Sequence, residues 1–217
     1  MLPTLDGPAL EPASGGKPRQ LIVFLHGVGA DGDDLIGLAP YWAPLFPEAE
    51  FLSPHAPFPC DMAPMGRQWF SLQDRSPESI LAGIRAVTPI LDAFLDEALS
   101  SRGLDDGKLA LVGFSQGTMV SLYAAPRRAK AAAGVVGFSG ALVGADTLKQ
   151  EIRSRPPILL VHGDADPMVP VSMLSFARQH LAAAGLKVED LVCRGLGHSI
   201  DEVGLARAGA FLQRVFR

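Results

Sequence analysis

Ser115, Asp166 and His198 are the residues whose types and positions allow chemistry together. Ser115 is the centre of Gly113-Phe114-Ser115-Gln116-Gly117, a Gly-x-Ser-x-Gly pentapeptide preceded by the short aliphatic run Leu109 to Val112. Such a run reads as a strand buried on both faces. Thr118 to Ala125 reads as a helix that Pro126 stops. A strand that turns into a helix within about two residues strains the turn residue and exposes its side chain at the carboxyl end of the sheet. The flanking glycines carry no Cβ to clash there. The same turn puts the Gln116 N–H at a helix N-terminus, where unpaired donors favour an anion. These features suit a serine nucleophile that must build and stabilise an oxyanion. An ordinary Gly-rich turn gives the same pentapeptide, so the rest of the chain must supply a base and an orienting acid.

Two further strand ends carry titratable residues. His162-Gly163-Asp164-Ala165-Asp166-Pro167 follows one aliphatic run, and Gly195-Leu196-Gly197-His198-Ser199 follows the last one. In a parallel sheet both loops emerge on the same edge as Ser115. A neutral imidazole at His198 can take the Ser115 proton, and a buried carboxylate at Asp166 can hold the other ring nitrogen. Asp164 is the rival acid, but it follows the strand more closely and is expected to brace the turn. His26 and His162 sit in His-Gly turns, where a structural hydrogen bond is the expected role. His55 lies between two prolines and His180 in a helix. Each acid or histidine alone has an ordinary structural use. Three matching positions in the order Ser, Asp, His, each after a strand, point to catalysis.

The elements that must position these residues alternate between strands and helices. Residues 1–19 are Pro- and Gly-rich, with one short edge strand near Ala9 to Glu11. Leu21 to Leu25 reads as a central strand running into the glycine-rich 26–32 turn, and a helical segment runs from Asp33-Asp34 through Trp42. The acidic cluster Asp31, Asp33 and Asp34 suits that helix's first turn better than a metal site. Glu50 to Ser53 is a short strand. Residues 54–75 form the longest irregular segment, and its Trp69, Phe70 and Leu72 are expected to line an apolar pocket. Ser76-Pro77 starts a helix that reaches Ser101, with Pro89 expected to kink or divide it. Gly134 to Phe138, Pro157 to His162 and Lys187 to Cys193 are strands. Ala145 to Ser154, Val171 to Ala184 and Ile200 to Phe216 are helices, with Gly185 as a C-terminal cap. This pattern predicts one α/β domain over residues 1–217, a mostly parallel sheet with helices on both faces, and a ligand site beyond the carboxyl ends of its strands.

Composition excludes other classes. Of 217 residues, 48% are hydrophobic and 19% charged, which is a folded rather than a disordered chain. The net charge of −4 gives no electrostatic case for nucleic acid or an anionic membrane. No apolar run approaches the roughly 18 residues of a membrane span. Met1 to Gln20 has no apolar core of a secretory signal, and Cys60 and Cys193 fit two reduced thiols, so a cytoplasmic location is expected.

The chain resembles the phospholipase/carboxylesterase family of α/β-hydrolases, which includes bacterial carboxylesterases and acyl-protein thioesterases. The resemblance lies in residues 24–32, Arg67-Gln68-Trp69-Phe70, the Ser115 pentapeptide, residues 162–170 and Gly197-His198-Ser199, nearly the whole chain. It implies an α/β-hydrolase fold without a separate cap domain, with Ser115 as nucleophile, Asp166 as acid and His198 as base. It implies an oxyanion hole from the backbone N–H groups of Val28 and Gln116, and places Trp69 and Met168 near the acyl pocket. The expected reaction is hydrolysis of short- to medium-chain acyl esters, with no cofactor and no metal. Lysophospholipids and protein thioesters remain alternative substrates, and monomer and homodimer both remain open. A binding module on the same fold would have no need of all three triad residues.

Overall fold

Successive residues of a strand point to opposite faces of its sheet, and the central strands here are apolar on both. Leu21, Val23 and Leu25 face one hydrophobic cluster, while Ile22 and Phe24 face another. The sheet must therefore be covered twice. The structure, a computed structural model, describes residues 2–217.

In chain order the strands are β1 (Ala9–Leu10), β2 (Gln20–Leu25), β3 (Ala49–Leu52), β4 (Phe58–Pro59), β5 (Arg67–Gln68), β6 (Leu109–Phe114), β7 (Gly134–Phe138), β8 (Ile158–Gly163) and β9 (Val188–Cys193). The helices are α1 (Gly32–Leu35), α2 (Ala39–Trp42), α3 (Pro77–Arg102), α4 (Gln116–Ala124), α5 (Ala145–Glu151), α6 (Ser172–Ala183) and α7 (Glu202–Val215). Seven strands form one sheet in the order β1-β3-β2-β6-β7-β8-β9. All neighbours pair in parallel except β1, which lies antiparallel on β3 at the edge. Apolar residues of α3, α4 and α6 cover one face, and those of α2 and α7 the other. Parallel strands need a crossover between each pair, and the helices supply it. No helix among the described residues is long and apolar enough to cross a membrane.

Several expected boundaries move for local reasons. The segment from Asp33 to Trp42 is split by a 3₁₀ turn, Ile36–Leu38, because Pro40 has no N–H to continue the first helix. Asp31 caps α1, accepting from the N–H groups of Asp33 and Asp34 at 3.0 and 3.3 Å. His55 Nδ1 accepts the Gly32 N–H at 3.1 Å, so the imidazole beside these acids is part of the same cap. Pro89 does not divide α3, which runs unbroken for 26 residues. Pro89 and Arg85, whose carbonyl loses its partner, both face solvent, and water can replace the lost bond. α5 ends at Glu151 because the next N–H groups, of Arg153 and Ser154, both turn to the Pro126 carbonyl. Residues 54–75 are not wholly irregular, since β4 and β5 pair as a short antiparallel ribbon.

α3 and α4 are locked together at one end by a single arginine. The Arg128 guanidinium, just beyond α4, binds Asp92 and Asp96 of α3 at 2.8 and 2.7 Å and Asp106 at 2.7 Å. This buried fork fixes the helix that carries Ser115 at its start.

Candidate active site

The turn from β6 into α4 bends too sharply for ordinary residues. Ser115 has φ 54° and ψ −113°, one of two non-glycine residues with positive φ among those described. A Cβ on Gly117 would overlap the Leu25 carbonyl, and one on Gly113 would overlap the Thr118 N–H group. Both glycines are therefore required by close backbone approach. The Phe138 carbonyl holds the turn from below, accepting the Ser115 N–H at 2.9 Å and the Thr118 hydroxyl at 2.8 Å. Such strain persists only where the surroundings over-determine it.

Asp166 and His198 meet at the ends of β8 and β9. Asp166 Oδ2 accepts from His198 Nδ1 at 2.7 Å, and Oδ1 accepts the N–H groups of Met168 and Val169 at 2.8 and 2.9 Å. The side chain has no exposed surface. Burial alone would raise its pKa, but the Val169 N–H, the His198 ring and the Met168 N–H together hold it below the usual carboxylate range. His162 braces the same loop, donating from Nε2 to the Val169 carbonyl at 2.8 Å, with Asp166 Oδ2 3.4 Å away. Asp164 is elsewhere, accepting the Gly195 N–H at 2.6 Å and tying the two loops together.

Ser115 and His198 line one cavity of about 330 Å³. The Phe114 ring lies 4.9 Å from the His198 ring and supports it from the side. His198 and Ser115 are not hydrogen-bonded in this structure, a contact that commonly tightens only when substrate binds. Val28 and Gln116 also face this cavity. Neither backbone N–H donates to any hydrogen bond among the described residues.

The loop carrying Val28 is held by the Arg67-Gln68-Trp69-Phe70 segment. Gly29 N–H donates to the Arg67 carbonyl at 2.9 Å, and Arg67 N–H donates to the Ala30 carbonyl at 2.8 Å. Gly66, at φ 86°, lies against the Gly29 carbonyl so closely that a Cβ there would overlap it. The Gln116 side-chain amide reaches across, accepting the Trp69 N–H and donating to the Phe70 carbonyl, both at 2.8 Å. Trp69 Nε1 donates to the His26 carbonyl at 2.9 Å. His26 Nε2 accepts the Ala56 N–H at 2.9 Å, which leaves the ring proton on Nδ1 for the Gly27 carbonyl at 2.7 Å. Burial lowers its pKa and keeps the ring neutral.

This corrects the expectation for Trp69 and Phe70. Both are buried in the core behind the cavity and line none of it. The hydrogen bonds of Trp69 require that placement, because its indole N–H and main chain are both satisfied from within. Leu72 and Met168 do line the cavity. So does Met62, one of the apolar residues of the 54–75 segment expected to wall a pocket, and so do Ile80, Met119 and Arg75, to which the sequence reading gave no pocket role. Met119 could have been found, since it stands four residues after Ser115 and one helical turn along α4. Both cysteines are free thiols, Cys60 half-buried and Cys193 buried. Burial first, and then Asp201, push the Cys193 thiol up to about 11.

The strand order, the strained serine between β6 and α4, and the acid and imidazole after β8 and β9 define an α/β-hydrolase. The chain belongs to the phospholipase/carboxylesterase family, and with it to the carboxylic ester hydrolases. The sequence model of that family matches residues 11–216. Esterase YpfH of Escherichia coli (strain K12) is 31% identical over 186 residues, covering 85% of this chain and 78% of the relative. Acyl-protein thioesterase 1 of Gibberella zeae is 25% identical over 210 residues, covering 89% of each chain. The crystal structure of esterase PE8 superposes with a TM-score of 0.94 at 40% identity, covering 98% of this chain and 99% of that one.

Proposed function

We propose that this protein hydrolyses short- to medium-chain acyl esters through an acyl-enzyme on Ser115. His198 takes the Ser115 proton as the hydroxyl attacks the ester carbonyl. The N–H groups of Val28 and Gln116 receive the oxyanion, the Gln116 donor gaining from the N-terminus of α4. His198 then protonates the departing alcohol. Water, activated by the same ring, releases the acid. Asp166 fixes the ring's orientation and tautomer and stabilises the imidazolium.

One observation carries this reading. A fully buried carboxylate, already satisfied by two backbone N–H groups, points its second oxygen at a histidine that opens into the cavity of a strained serine. The limit on chain length follows from that cavity, whose apolar wall of Leu72, Ile80, Met119 and Met168 is finite. Thioesters and lysophospholipids present the same acyl carbonyl, and the similarity to a thioesterase makes them the second reading.

The test is pre-steady-state hydrolysis of 4-nitrophenyl butyrate. An initial burst of 4-nitrophenol, close to one per active site, is expected, absent in Ser115→Ala. Release of 4-nitrophenol with equal efficiency by Ser115→Ala would refute the assignment.

A further inference from the structure

Arg75 stands on the wall of the catalytic cavity with no hydrogen bond or ion pair among the described residues. Arg153, Arg194 and Arg217 likewise have no side-chain partner among the described residues, but none of them lines this cavity. Arg85, Arg102, Arg127, Arg128, Arg178, Arg207 and Arg214 all bind carboxylates. Asp34 is on the same cavity lining but forms no ion pair with Arg75, and the acids nearest Arg75 in sequence do not bind it either. Asp74 accepts the Ser76 N–H at 2.8 Å and the Ser76 hydroxyl at 3.0 Å. Asp61 accepts the Ser71 hydroxyl at 2.5 Å. Glu78, in the first turn of α3, does not line the cavity. Arg75 also directly precedes the Ser76 cap of α3, so the positive end of a long helix begins at the next residue.

The cavity has two sides. Leu72, Ile80 and Met119 pack on the hydrophobic cluster of one sheet face, while Phe114, which supports His198, packs on the cluster of the other. His198 must protonate the leaving group, so the alcohol belongs on its side and the acyl chain on the side of Leu72, Ile80 and Met119. Arg75 lines the same cavity and stands between Leu72 and Ile80 in the chain.

We propose that Arg75 is a specificity-determining residue that selects acyl groups ending in an anion, a terminal carboxylate above all. The substrates are then half-esters of dicarboxylic acids: an apolar stem lies along Leu72, Ile80 and Met119 and the distal carboxylate meets the guanidinium, whose planar fork suits a carboxylate. This inference rests on the acyl-enzyme reading above.

The experiment compares 4-nitrophenyl hydrogen adipate and suberate with their methyl-capped counterparts, which have the same stem and no distal charge. The readout is the ratio of kcat/KM within each pair, so any general loss of activity cancels. In Arg75→Gln the ratio falls about fivefold, the upper range for an exposed ion pair. In Arg75→Glu it falls further, and in Arg75→Lys it is largely kept. Added salt lowers the wild-type ratio by screening. An unchanged ratio in Arg75→Gln and Arg75→Glu overturns the proposal. Fluorophosphonate labelling of Ser115 in the same preparations separates the two levels. Labelled enzyme with an unchanged ratio removes Arg75 alone, whereas absence of labelling on folded wild-type protein removes the catalytic reading beneath it.

Discussion

His198 Nδ1 lies 2.7 Å from Asp166 Oδ2, across 32 residues of sequence and between the ends of two adjacent parallel strands. Asp164, only two residues away from the acid, instead joins its loop to Gly195. The two carboxylates therefore separate into one that addresses the His198 ring and one that addresses the backbone.

Asp166→Asn should lower kcat by about three to four orders of magnitude, because the amide disturbs the tautomer and orientation of His198. Asp164→Asn should cost stability and far less activity. Steady-state kinetics with circular dichroism on both variants checks this, and a larger activity loss at Asp164 would reverse the roles.

A pH dependence of stability follows from the same carboxylate. Burial opposes its charge, but the Val169 N–H, the His198 ring and the Met168 N–H outweigh burial, so its folded pKa lies below the unfolded value. A depressed pKa stabilises the fold above the unfolded value and loses that contribution as pH falls through the folded one. The stability gap between wild type and Asp166→Asn should hold at neutral pH and narrow below about pH 4. Urea unfolding across that range measures it, and a gap that widens in acid would contradict the sign.

Gln116 serves twice, through its backbone N–H at the cavity and through its amide on Trp69 and Phe70. Gln116→Ala leaves a buried N–H and a buried carbonyl unpaired. Each orphan costs about 1–3 kcal/mol, so a loss of about 2–6 kcal/mol is expected by urea unfolding. A loss below about 0.5 kcal/mol, the level of an ordinary surface change, would show that the clamp contributes little.

Acyl-length selectivity should track the residues on the cavity wall. Each methylene in contact contributes about 0.8 kcal/mol, roughly fourfold in kcat/KM if realised in the transition state. Leu72→Ala and Met119→Ala should flatten the rise from 4-nitrophenyl acetate to hexanoate. Trp69→Phe should instead lower Tm, since it strips a partner from the His26 carbonyl, and leave the slope of the series in place. A flattened series in Trp69→Phe with normal slopes in the other two would return the pocket to the buried tryptophan.

The elbow was legible in the sequence because its constraint is local: only glycine fits where α4 crosses the β2 end, and both glycines stand two residues from the serine. Asp166 could be told from Asp164 because distance from the strand end decides which carboxylate reaches His198; both reach the loop after β9, Asp164 only at its backbone. Trp69 could not be placed in the same way. An aromatic in an irregular segment looks alike whether it lines a pocket or plugs the core, and the deciding bonds come from His26 and Gln116, each more than 40 residues away. Whether Pro89 divides α3 could not be read from sequence for a related reason. Its cost depends on whether the orphaned carbonyl faces water, and that is set by packing. Arg75 carries no periodic or motif signal, and only the fold puts it beside Ser115's cavity.

The central claim is that Ser115 is the nucleophile of an acyl-enzyme. Its most direct measurement is intact-mass and peptide mapping after reaction with a fluorophosphonate, which an activated serine beside an oxyanion hole attacks at phosphorus. The account predicts one adduct per chain, on the peptide containing Ser115, and a rate of modification that collapses in His198→Ala. An adduct on another residue of the folded protein, or labelling of Ser115 at the same rate without His198, would contradict it.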